Sequence, residues 1–480
     1  MKKIGVACTT IFHYVHFKWI AKELSSNGFS VVYIIYTPRH VNERFERLEK
    51  FFRDNGIKYC SFEDLFNGKA SYDIILAPYF LPGFQLLNPH IKKVRGLYGY
   101  AKDRWNYAEW NEGFDLVLSY GRYAEQRLSR YGRVVNIGHP RKRAAYAERL
   151  IDIHGKVFEK TNKSKPVLVY CPTWANLSSL NTFAQYIEDF RNKFNIIVKL
   201  HHGNVLSDHA STWQSIINTK ELFLFDEQTD LFDLLYHADA VLSDHSGAIF
   251  DAMLFRKPII LIDIIDENIN NTGLANLNNM QNVALYNREK KSFEELSLDI
   301  AVRQILPHAQ KSKDLILLIN NTLEAKGIPY EELLSELYSF EDNQAPKRAV
   351  QAINELLDLP VDREKKNESY FIIDSNKIIE FIEKNKHEHV SIWGAGEMGQ
   401  IIYAWLKGQG YSIDRIYDVD NNKHGKVIDE IIIESPKIIG KTIITVASHQ
   451  QEIINTLKNS GLKEGFDYIT VFRSVDRNDS

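Results

Sequence analysis

The chain is poor in cysteine and methionine and has no long apolar run. Its three cysteines, Cys8, Cys60 and Cys171, are scattered over 480 residues. That leaves no basis for a disulfide framework or a cysteine metal site, and it fits a reducing compartment. The apolar runs are strand-sized, far short of the roughly 20 residues that cross a bilayer as a helix. Excess charge of one sign is also missing: 59 Lys and Arg against 62 Asp and Glu leave a net charge of −3. A broad nucleic-acid footprint is therefore not expected, although Arg141-Lys142-Arg143 forms a local basic cluster. Met1-Lys2-Lys3 runs directly into strand-like residues 4–8, so no secretory leader is expected. The composition points to a cytoplasmic protein that would meet a membrane only peripherally, from its inner face.

What is present is the grammar of an α/β protein, repeated three times. Hydrophobic residues make up 44% and charged residues 25% of the chain, the range of a globular enzyme. Such a length suggests about two to four domains. The expected architecture is a GT-B-like pair of Rossmann-type domains plus a third, smaller Rossmann-like unit. Boundaries fall at 1–160, 161–360 and 368–480, with polar linkers near 160–165 and 359–367. In the first unit, strands are expected at 4–8, 73–76, 114–119 and 134–137. In the second they are expected at 166–170, 195–200, 221–225, 240–242 and 259–262. Helical sequence at 314–323, 330–338 and 347–357 should close the second unit.

The most informative stretch is 236–263, a buried strand, a turn at Asp244-His245-Ser246-Gly247, a helix stopped before Pro258 and a second buried strand. This implies a parallel sheet. Asp244 or Ser246 can cap the helix, and Gly247 lets a ligand approach the backbone. The first-turn N–H groups would face the carboxyl edge of the sheet, where α/β folds bind phosphate groups. Other segments should join it at that edge: Cys171-Pro172-Thr173-Trp174, His201-His202-Gly203-Asn204, and Asp226-Glu227 with Asp230 and Asp233. Asp251 lies about one helical turn beyond Gly247. Together they offer what a nucleoside diphosphate needs: backbone donors, an aromatic wall and carboxylates. His201 or His202 could neutralise a leaving phosphate.

These motifs resemble the CDP-glycerol glycerophosphotransferase family, enzymes that polymerise teichoic acids and related phosphate-linked glycans. The resemblance rests on Pro172-Thr173-Trp174, on Leu200-His201, on Ser243-Asp244-His245-Ser246-Gly247, on Phe250-Asp251 and on Lys257-Pro258. It spans about 90–360. It implies a two-domain GT-B arrangement, with the CDP-alditol held by the second domain through Thr173, Trp174, Asp244, Ser246, Gly247 and Asp251. The acceptor would enter from the first domain. Two positions depart from the family: Gly247 stands where it has a second serine, and Arg95 stands where it has a histidine that is a candidate general base. Arginine cannot serve as a base near neutral pH. His16, in the segment after the first strand, is the expected replacement, with Asp103 second. His13 shares that segment. His139-Pro140-Arg141 reads as a hinge into the second domain, and the aromatic stretch 98–110 as an acceptor wall or a packed loop.

The third unit carries Gly394-x-Gly396-x-x-Gly399 after a strand, with Asp418 near the end of the next. This matches a dinucleotide-binding pattern, so NAD(P) or another nucleotide could sit there; a purely scaffolding role is the other reading. No catalytic Tyr-x-x-x-Lys accompanies it. The function expected from the chain is transfer of a phospho-alditol, glycerol or ribitol phosphate, from a CDP donor to a lipid-linked or capsular glycan, with release of CMP. No metal or cofactor is expected for that step. A GT-B glycosyltransferase using a nucleotide sugar and a non-catalytic nucleotide-binding scaffold are the alternatives. Self-association stays open.

Overall fold

The computed structural model describes residues 1–37, 44–101, 103–142, 164–174, 178–180, 183, 189–201, 203, 223–225, 228–263, 296–309, 312–360, 373–437, 441–446 and 450–472. His202 and Asp226-Glu227 lie outside them.

Among the described residues the chain forms three sheets. The first holds β1 (Lys3–Cys8), β2 (Ser30–Ile35), β3 (Tyr59–Ser61), β4 (Ile74–Ala77), β5 (Lys92–Gly96), β6 (Leu116–Ser119) and β7 (Val134–Asn136), in the order 3-2-1-4-5-6-7. The second holds β8 (Val167–Cys171), β9 (Asn195–Lys199), β10 (Phe223–Phe225), β11 (Ala240–Ser243), β12 (Ile259–Ile262) and β13 (His308–Ala309), in the order 10-9-8-11-12-13. Every pairing in these two sheets is parallel. β4, β6, β8, β11 and β12 are buried along their whole length. That is why they read as continuous apolar runs rather than alternating ones.

The third sheet comprises β14 (Val390–Trp393), β15 (Arg415–Tyr417), β16 (Val427–Ile428), β17 (Ile431–Glu434), β18 (Lys441–Ile444) and β19 (Tyr468–Thr470), in the order 16-17-15-14-18-19. Only the β16–β17 pair is antiparallel. In all three sheets the order reverses beside the strand that opens the unit. In open α/β sheets that crevice is where ligands bind.

One helix goes elsewhere than the sequence pattern suggests. Of the three helices expected to close the second unit, Ala345–Asp358 packs on the first. Its Ala349, Val350, Ile353 and Leu356 join the core formed by Ile4, Val6, Leu76 and helix Ile11–Ser26. Lys92 anchors its end by donating to the carbonyls of Leu356 and Leu359. An amphipathic face demands burial without naming the surface that provides it.

The third unit docks on the first through helix Glu397–Gly408. Ile401 and Trp405 share a core with Leu65, Phe66, Phe84 and Leu86. The approach is close enough to need glycine. A Cβ on Gly83 would lie 2.5 Å from Ile401, and one on Gly408 would lie 2.4 Å from the carbonyl oxygen of Phe66. Among the described residues no helix is long and apolar enough to cross a membrane.

Candidate active site at the seam between the first two sheets

Strand register explains why distant loops of the second sheet meet. Ser243 pairs with Cys171, and Tyr170 with Val198. The chain therefore leaves the sheet at Thr173, His201 and Asp244 side by side. Asp244 ties the loops together. Its carboxylate accepts from the backbone N–H groups of Thr173 (2.7 Å), His245 (2.6 Å) and Ser179 (2.8 Å) and from the Ser179 hydroxyl (2.9 Å). Burial raises its carboxyl above the ordinary range, against those bonds. Both oxygens are thus engaged within the protein.

Trp174 is 42% exposed and stacks parallel to His201, with ring centroids 6.1 Å apart and planes 10° apart. Gly203 sits beneath it; a Cβ there would be 2.7 Å from the indole. His201 accepts the Gly203 N–H at Nδ1, 3.0 Å. In the neutral ring the proton is then on Nε2, which makes that nitrogen a donor. Beside it, helix Ala248–Leu254 begins after Gly247 rather than on a side-chain cap; the Ser246 hydroxyl accepts from Ala248 N–H at 3.3 Å. Gly247 has φ −60°, an ordinary helical value.

Loops of the first sheet close over this edge. A Cβ on Gly247 would lie 3.8 Å from that of Ala101. Tyr100 donates to the Leu337 carbonyl, and its ring lies 5.9 Å from that of Phe250. Two residues past Ala101, part-buried Asp103 accepts from the Tyr123 hydroxyl at 2.6 Å, and the Leu298 backbone N–H also acts on its carboxylate. Burial pushes its carboxyl up to about 6, with Asp299 of the second sheet's unit adding to the shift. Asp299 in turn faces His245, 3.9 Å away, and His245 faces Arg303 at 3.2 Å. Arg303 is nearly buried and bound to Asp263. Sequence reading overlooked Asp299 and Arg303, because no strand-turn pattern marks them.

Arg95 is the strut beneath that loop. It is fully buried and donates to the Pro78 carbonyl (3.2 Å), the Asn106 carbonyl (2.8 Å), Asn106 Oδ1 (2.9 Å) and Asn111 Oδ1 (2.6 Å). Its guanidinium lies 4.5 Å from the centre of the Trp110 ring. Burial lowers it to about 10, so it stays charged at neutral pH.

His16 lies deeper in the seam, fully buried, with Phe12, Tyr98, Tyr120 and His139 around its ring. Tyr120 donates its hydroxyl proton to the Leu97 carbonyl at 2.5 Å and also touches His16 Nε2. His16 must therefore carry its proton on Nε2, leaving Nδ1 bare and without a partner among the described residues. Burial, then Arg141, His139 and His13, hold its pKa well below the usual value. His13 is likewise lowered, to about 3, and accepts from Thr9.

The hinge segment turns out to be a clamp. Arg141 is buried and donates to Asp230 from Nε (3.0 Å) and Nη2 (2.8 Å), and to Asp251 from Nη1 (3.3 Å). His139 takes the Arg141 N–H at Nδ1 (3.2 Å) and turns Nε2 toward Asp251, 3.4 Å away. Asp251 thus joins the second sheet's unit to the segment leaving the first. Only the basic run at 141–143 hinted at this.

In the third unit the glycine loop has the fingerprint's shape. Gly394 has φ +119°, and a Cβ on Gly399 would be 1.7 Å from the Gly394 carbonyl oxygen, while Gly396 faces open space. Asp418, however, already accepts from Ala395 N–H (2.8 Å), Asp420 N–H (2.9 Å) and Lys423 (2.9 Å). Its carboxylate ties the glycine loop to the next strand.

Two parallel sheets whose carboxyl edges face each other across a seam define a GT-B-like fold. Within it, residues 103–266 match the family model described as CDP-Glycerol:Poly(glycerophosphate) glycerophosphotransferase. That match covers about a third of the chain and bears out the resemblance carried by Thr173, Trp174, His201 and the turn at 244–247. Solved structures similar to the chain include the wall teichoic acid polymerase TagF (13% identity, 74% of this chain and 89% of that one, TM-score 0.45). Others are the S. aureus MnaA–UDP complex (14%, 75% and 98%, TM-score 0.42) and the UDP-GlcNAc 2-epimerase of Methanocaldococcus jannaschii (10%, 74% and 99%, TM-score 0.43). Among curated proteins none matches the sequence significantly.

Proposed function

We propose that the chain transfers a phospho-alditol from a CDP-activated donor, CDP-glycerol or CDP-ribitol, to a glycan hydroxyl and releases CMP. The observation that carries this reading is the family match, whose span includes Asp103 on one side of the seam and the 173, 201 and 244–247 loops on the other. The acceptor oxygen attacks the β-phosphorus, the bond from that phosphorus to the CMP oxygen breaks, and the hydroxyl proton passes to a base. Asp103 is the base we favour: its carboxyl, near 6, is ionised at neutral pH yet basic enough to take a proton. His16, enclosed on all sides, is second. Trp174 would stack on the cytosine, His201 Nε2–H would donate to the departing phosphate, and the backbone at Ser246-Gly247 would hold the pyrophosphate. The third unit serves as a scaffold, since Asp418 is already engaged.

The test is incubation with CDP-glycerol, CDP-ribitol or a nucleotide sugar, each with a lipid-linked or capsular glycan acceptor. CMP formed with incorporation of the alditol phosphate is the expected result. A nucleoside diphosphate formed from the sugar donor alone would make the protein a glycosyltransferase, and no turnover with any donor would make it a binding scaffold.

A further inference from the structure

A groove of about 330 Å³ runs along the outer face of helix Ile11–Ser26, away from the loops described above. Tyr14, Lys18, Lys22 and Ser25 line it from the helix, with Trp19 beside them and Lys58 opposite. Their spacing of four, four and three residues sets them in one stripe. We propose that this groove holds the phosphodiester backbone of an alditol-phosphate chain, as acceptor or as product. The proposal rests on the transfer reaction above and assigns the path its anionic chain follows.

The charges are there and the fold does not use all of them. Lys22 and Lys58 are exposed and form no ion pair among the described residues. Among the described residues no carboxylate lines the groove. Lys18 marks where it starts: its ammonium is 3.6 Å from Asp230, the same carboxylate that Arg141 clamps at the seam. A chain leaving the seam therefore meets Lys18 first and Lys22 one helical turn later. Lys18 and Lys22 flank the Trp19 ring at 5.6 and 5.7 Å, leaving an apolar platform between cations. Repeated anions separated by short carbon segments match that alternation. A neutral glycan would gain nothing from the lysines. A nucleotide would find no carboxylate for its ribose, and a flat lipid surface would not reach Lys18, whose side chain is only 15% exposed.

Calorimetric titration with a short oligo(glycerol phosphate) tests this, using the full chain and a Lys22→Glu/Lys58→Glu variant. The oligomer should bind the unaltered protein and bind the variant at least about tenfold more weakly, as expected for lost charge-assisted contacts. CDP-glycerol affinity and thermal midpoint should be unchanged. Equal oligomer affinity in both proteins, or none in the unaltered one, overturns the proposal. So does a variant that keeps the oligomer but loses sedimentation with phosphatidylglycerol vesicles, which would make the groove a membrane contact. The titration needs no turnover, so a failed CMP assay and a failed titration are separate results.

Discussion

Burial acts on Asp103 and His16 in opposite directions, raising the carboxyl and lowering the imidazole. That difference makes the choice of base measurable. A base works deprotonated, so with Asp103 in the role the rate should climb as pH rises through about 6 and then level off. Asp103→Asn should remove that limb and at least about 100-fold of turnover, with CDP-donor affinity intact. A profile flat from pH 5 to 8, with turnover abolished by His16→Ala, would give the role to His16. Gly247 permits a second test at the same seam. Its φ of −60° suits any residue, and a Cβ would stand 3.8 Å from Ala101. Gly247→Ala should therefore raise stability by about 0.4–1 kcal/mol. Gly247→Val, with two more methyl groups against Ala101 and the phosphate position, should weaken donor binding at least about tenfold without lowering the thermal midpoint. Unchanged affinity in calorimetry would move the pyrophosphate elsewhere.

The segment from Gly96 to Asn111 depends on one buried side chain. Arg95 gives four hydrogen bonds, to Pro78, Asn106 and Asn111. It thereby holds the loop that carries Ala101 and Asp103 over the 244–247 turn. Arg95→Met should lower stability by roughly 2–4 kcal/mol, because the four acceptor contacts lose their donor inside the protein. Chemical denaturation measures this, and a loss below about 1 kcal/mol would show that the loop has other supports. Asp244 plays the matching part on the other sheet, where one carboxylate gathers three backbone N–H groups and a hydroxyl. Both sides of the seam are thus braced from within by a buried charged side chain, and the groups left to meet substrate stand on those braces.

The three units depend on one another unequally. The clamp of Arg141 with Asp230 and Asp251 and the helix Ala345–Asp358 bind the first two together. The third unit touches the first through Ile401 and Trp405, away from the 244–247 turn. A chain ending at Pro360 keeps the crossover helix, so it should fold and bind the CDP donor within about twofold of the full chain. It would expose Leu65, Phe66 and Leu86, and its thermal midpoint should fall. Light scattering should report a greater tendency to associate. Loss of donor binding in a folded, monomeric truncation would mean that the third unit completes the donor site.

Local pattern carried much of the architecture. Apolar runs cut by glycine and proline marked the strand Ile259–Ile262 at its observed limits, and the turn at Asp244-His245-Ser246-Gly247 between strand and helix. The loops at Thr173, His201 and Asp244 could be assigned to one edge because parallel strands put their carboxyl ends together. Partners could not be read this way. Arg141 and Asp230, Lys92 and Leu356, Asp103 and Asp299 are far apart along the chain, and a charged residue's type does not say which opposite charge or carbonyl will reach it. The same limit hid the destination of Ala345–Asp358, the enclosure of His16 and the engagement of Asp418. Periodicity tells a segment which face to bury, whereas the surface that covers it, and so every pKa and every hydrogen-bond partner in the seam, is settled only when the sheets pack.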